Sequence, residues 1–83
     1  MNQPLGYLKE ILSNYTDRSD TGKEIYAIIK EFDFTTEESF VQKLSEEQIN
    51  FLNRILPEEI DHAKEADDTE RANQLNEVFE QLY

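Results

Sequence analysis

The sequence predicts an all-α fold: a compact bundle of four to five short helices with a longer acidic C-terminal helix. Three observations predict it. Apolar residues recur at three- and four-residue steps through most of the 83 positions, the spacing of one face of a 3.6-residue helix. Capping boxes of the form Ser/Thr-x-x-Glu/Gln stand ahead of several of those runs. Strand signals are nearly missing, and the chain has only two glycines with which to build tight turns.

The first helix is expected over residues 4–15, where Leu5, Leu8, Ile11, Leu12 and Tyr15 form one stripe. Pro4 suits the first turn, because its missing N–H would be unpaired there anyway. Residues 16–22 are polar and turn-forming. Thr21 with Glu24 then makes a capping box for a second helix whose apolar face is Ile25, Ile28, Ile29 and Phe32. Asp33-Phe34 breaks the pattern. Thr35 with Glu38 offers a box for a short third helix carrying Phe40, Val41 and Leu44. Ser45 with Gln48 gives the strongest boundary, since Leu44 and Ile49 add a hydrophobic staple. Ile49, Leu52, Ile55 and Leu56 continue the fourth helix.

Pro57 is expected to end or kink that helix, and with Glu58 and Glu59 it makes a good start for the next. Ile60, Ala63, Ala72, Leu75, Val78, Phe79 and Leu82 carry the final segment, residues 57–83. One long helix is the first expectation there, and a break near residues 67–69 the alternative. The length fits a single domain, residues 1–83.

Composition narrows function. Nineteen acids against eight bases leave a net charge of −11. Such a chain is repelled by phosphate, which argues against direct nucleic-acid binding and against anionic membranes. No apolar run approaches the roughly 20 residues that span a bilayer, and the first residues lack the pattern of a signal peptide. With no cysteine there is neither disulfide nor thiolate chemistry, so the expected location is cytoplasmic. Low glycine with abundant Glu, Asn and Ile suggests a bacterial source.

Site motifs are weak. Asp17, Ser19, Thr21 and Gly22 open like a calcium loop, but the twelfth position, which needs a bidentate Glu, is Ile28. Glu59-x-x-His62 has the spacing of a di-iron ligand pair, yet His62 is the single histidine, where such centres need two copies and further glutamates. Without a second histidine, a nucleophile elbow or a phosphate loop, no catalytic, metal or cofactor site is expected, and the protein is expected not to be an enzyme. Residues 36–56 resemble a helix-turn-helix only in outline, because the second helix offers Arg54 as its one base.

What remains is charge and aromatics. Residues 57–83 hold nine acids and two bases, which suggests a face that steers toward a basic partner. Phe51 lies roughly opposite Ile49 around the helix axis. Either the fourth helix is central and buried on two sides, or Phe51 is an exposed anchor with Arg54 beside it. The expected function is a small regulatory protein that binds a protein partner, one with a basic or nucleic-acid-binding character, through Phe51, Arg54, Glu58, Glu59, Asp61, His62 and Glu65. Two alternatives stand beside it. Leu75, Val78, Phe79, Leu82 and Tyr83 could pair a homodimer through the C-terminal helix, or the carboxylates could mimic DNA.

Overall fold

Asn2 sets where the first helix starts. Its side-chain oxygen accepts the Leu5 N–H at 2.9 Å, and Pro4 fills the first turn of α1, Gln3–Leu12. The computed structural model describes residues 2–82. Its further helices are α2, Asp20–Glu31; α3, Glu37–Val41; α4, Glu46–Glu65; and α5, Thr69–Phe79. The described residues contain no strand, so the all-α expectation holds.

Helix α1 is shorter than the apolar stripe suggests. After Leu12 the chain tightens into turns, with Asn14 N–H donating to the Ile11 carbonyl and Tyr15 N–H to Leu12. Tyr15 therefore stands in the α1–α2 connection and not on the helix. The cap of α2 is Ser19, whose hydroxyl accepts the Gly22 N–H at 3.1 Å, two residues ahead of the expected Thr21. The earlier start brings Gly22 against Tyr15, where an added Cβ would sit 2.9 Å from the Tyr15 Cβ. In the same way Thr36, not Thr35, caps α3 by accepting the Ser39 N–H at 3.1 Å. Asn2 ties this segment to α1 by donating to the Thr35 carbonyl and to Glu37. The Ser45–Gln48 box forms as expected, with both reciprocal bonds present.

The boundaries around α4 correct the sequence reading. Helix α4 runs through Pro57 without ending there. The proline is exposed, so the backbone bond it cannot donate to Asn53 is lost on the outer side of the helix rather than in the core. Buried Ile55, Leu56, Ile60 and Ala63 pin the helix on both sides of it. The break comes later, at residues 66–68, where the alternative to one long C-terminal helix expected it. Asp67 adopts a left-handed φ of 57°, Asp68 N–H reaches the Ala63 carbonyl at 2.8 Å and Asp67 N–H reaches Lys64 at 3.1 Å. Those two bonds are the Schellman pair that closes a helix end. Asp68 then caps α5 by accepting the Arg71 N–H at 3.1 Å. The long helix is thus the fourth, with 20 residues, and the C-terminal one has 11.

Four helices close a ring: α1 packs on α2, α2 on α4, α4 on α5 and α5 on α1. One apolar cluster fills it, with Leu5, Leu8, Leu12, Ile25, Ile29, Leu52, Leu56, Leu75 and Val78 fully buried. The radius of gyration, 11.6 Å, matches the ~12 Å of a compact chain of this length. Leu75, Val78 and Leu82 are consumed by this core and Phe79 packs partly against it; Tyr83 lies outside the described residues. Among those residues Phe32 is the exposed large apolar side chain, at 42%.

Candidate functional site

Helix α4 sorts the sequence-predicted site residues by their place around its axis. Arg54, Glu58, Asp61, His62 and Glu65 follow three- and four-residue steps, so they share one stripe. All five are exposed. The remaining two are not on it. Phe51 is 4% exposed, which removes it as a surface anchor and makes α4 the helix buried on two sides. Glu59 is half-buried and turned inward to Tyr15.

Tyr15 explains both exceptions. Its ring meets Phe51 edge-on at 5.7 Å between centroids, and its hydroxyl donates to Glu59 Oε2 at 2.7 Å. Gly22 makes room beneath, since an added Cβ would also lie 3.2 Å from the Phe51 ring. Burial pushes the Tyr15 hydroxyl up to about 12, and donation to the Glu59 carboxylate adds to this. Desolvation raises Tyr7 as well, with Glu70 and Asp68 contributing. Neither tyrosine is poised to ionise near neutrality.

Arginines flank this aromatic pair. The Arg18 guanidinium lies 4.6 Å from the Tyr15 centroid, and that of Arg54 5.3 Å from the Phe51 centroid. A groove of about 380 Å³ is lined by Tyr15, Arg18, Ser19, Phe51, Arg54, Ile55 and Glu58. A second groove, about 570 Å³, lies at Phe32, Phe34 and Lys43, with the Lys43 ammonium 5.0 Å above the Phe32 ring. His62 lines neither. Among the described residues no group of three His, Asp or Glu side chains is placed to hold a metal ion. No described helix is long and apolar enough to cross a membrane.

The sequence reading divided these residues at Pro57, with Arg54 on one helix and Glu58 to Glu65 on the next, and it missed Tyr15 and Arg18 as neighbours of Phe51. The continuous α4 puts Arg54 on the same stripe as the acids. A signal was available: Tyr15-x-x-Arg18 and Phe51-x-x-Arg54 repeat one spacing, an aromatic ring with an arginine three residues on. The pairing of the two copies across the fold had no local sign.

Comparison with known proteins adds a family and a relative. A model of the CsgA family, described as minor curli fiber component A, matches residues 1–83. A protein of Bacillus subtilis (strain 168) described as a Sigma-G-dependent sporulation-specific SASP protein is 38% identical over 82 residues, covering 99% of each chain. No solved structure matches.

Proposed function

The chain belongs to the CsgA family, minor curli fiber component A, and we propose from that membership and the sporulation-specific relative that it is a non-catalytic protein of sporulating cells. Its task is to bind a protein partner, and its location is the cytoplasm, that of the developing spore included. The observation that carries this reading is the exposed stripe of Glu58, Asp61, His62 and Glu65 on α4. Carboxylates held one turn apart on a rigid helix steer a basic surface toward them and fix its register. The net charge of −11 makes duplex DNA a poor ligand. A nucleic-acid-binding protein, covered at its basic face as by a DNA mimic, is a partner of the right chemistry.

The family description also brings in a fiber component. Self-assembly through the C-terminal helix is less well supported, because Leu75, Val78 and Leu82 are already buried in the core.

Site-specific photo-crosslinking in sporulating cells tests the proposal. With the crosslinker in place of Asp61, a discrete adduct with another protein is expected, and it should vanish when Glu58→Lys and Glu65→Lys are added. With the crosslinker in place of Lys30 on α2, the same adduct should be absent. Equal adducts from both positions, or an adduct indifferent to charge reversal, would overturn the reading.

A further inference from the structure

Arginine is scarce here: the chain has Arg18, Arg54 and Arg71. Arg71 is spent on a local ion pair, its Nε 3.2 Å from Asp68 Oδ2. The other two line one groove. Among the described residues neither has a carboxylate partner within ion-pair distance, although this protein carries nineteen acids. Arg18 Nε donates to the Asn14 carbonyl at 3.1 Å, and among the described residues its terminal nitrogens have no hydrogen-bond partner. Among the described residues, Arg54 has the Phe51 ring as its one contact of this kind.

We propose that the Arg18–Arg54 groove is a binding site for a small oxyanion, a phosphate or a carboxylate. A ring beneath each guanidinium holds it by cation–π attraction, and the terminal N–H groups remain for paired oxygens. The rings are themselves fixed, Tyr15 by Glu59 and Phe51 by burial, so the forks are positioned by core packing. Ser19, where α2 begins, lines the same groove, and the positive end of that helix adds to the field. The groove, about 380 Å³ and open to solvent, has room for a small anion that keeps part of its hydration. Glu58 on the rim opposes an anion, which limits affinity and gives the site an internal control. The site shares Arg54 and Glu58 with the α4 stripe but rests on Tyr15, Arg18 and Phe51, which the stripe lacks, so it stands if the protein partner fails.

Titration of the whole protein followed by NMR at constant ionic strength tests this. Pyrophosphate and citrate are the two ligand arms, and sodium chloride is the reference. Saturable shifts at the Arg18 and Arg54 Nε–H signals are expected. Arg18→Gln and Arg54→Gln should each weaken binding at least about tenfold, and Glu58→Gln should tighten it about threefold. Saturation by pyrophosphate alone identifies the ligand as a phosphate, and by citrate alone as a carboxylate. Linear shifts that match chloride, or saturation unchanged by both arginine variants, overturn the proposal. Arg18 is exposed in the α1–α2 connection, outside every helix, so its variant remains informative if Arg54→Gln perturbs the fold.

Discussion

The two halves of α4, before and after Pro57, use the same helical geometry for opposite ends. The first half buries Phe51, Leu52, Ile55 and Leu56, the second only Ile60 and Ala63. Phe51 and Leu52 point to different neighbours, so the first half is a wedge between Tyr15 and the remaining helices. The second half rests on one narrow seam and turns Glu58, Asp61, His62 and Glu65 to solvent. A capping box starts the helix and a Schellman turn ends it, so packing fixes one half and end chemistry holds the other. Charge can therefore vary after Pro57 with little cost to the fold, whereas volume cannot vary before it.

Removing the wedge is the most severe way to break that contrast. Phe51→Ala strips a ring that is 4% exposed and leaves Tyr15 without its edge-on partner. The expected loss is about 3–5 kcal/mol, by transfer and cavity together. Asp61→Ala, in the exposed half, should stay within about 0.5 kcal/mol of wild type. Urea unfolding of the two variants checks both values, and similar losses would mean that the halves are not distinct.

A milder test uses the hydroxyl that joins the halves, since Tyr15 touches Phe51 before Pro57 and Glu59 after it. The Tyr15 hydroxyl rises from 10.0 to about 12 on folding. Between those values the unfolded chain has lost a proton that the folded chain keeps, so stability must fall as pH rises. The contribution is whole below about 10 and is lost through about 12. Tyr15→Phe should be less stable than wild type near neutrality, and the gap should narrow above pH 10. A gap constant across that window would show that Glu59 does not hold the phenol.

How much of this was legible follows from the range of each interaction. The acidic part of the α4 stripe is local, fixed by 3.6 residues per turn, so Glu58, Asp61, His62 and Glu65 could be placed on one face from spacing alone, whereas Arg54 joins them only because the helix runs through Pro57. The Ser45–Gln48 box was legible because its staple residues flank it. Thr21 and Thr35 slipped because Ser19 and Thr36 stand close by with equal capping ability. The choice fell to Gly22, which must meet Tyr15 and Phe51, and to Thr36, which caps through Ser39. Phe51 was readable as two-sided but not as buried, because its neighbour Tyr15 lies far off in sequence within a turn. Pro57 misled for a related reason: its penalty is local, and the apolar residues that overcome it act through distant helices.

The end of α4 carries the smallest expected effect. A helix stop normally shows itself as glycine at the position that turns left-handed; here that position is Asp67, with φ 57°. Aspartate tolerates this conformation better than most residues but still at a cost. Asp67→Gly should therefore raise stability by about 0.5 kcal/mol, less than the full strain because glycine also loosens the unfolded chain. Asp67→Ala should lower it by about the same amount, and the opposite order of urea midpoints would show that the joint is not left-handed. The sign matters for the contrast drawn at Pro57. If the acidic half ends in a strained turn, then α4 and α5 are separated at the expense of local strain, and Asp68 is free to start α5 in a new direction. That change of direction lets Leu75 and Val78 return to the core while Glu65 stays in water, which a single straight helix through residue 67 could not do.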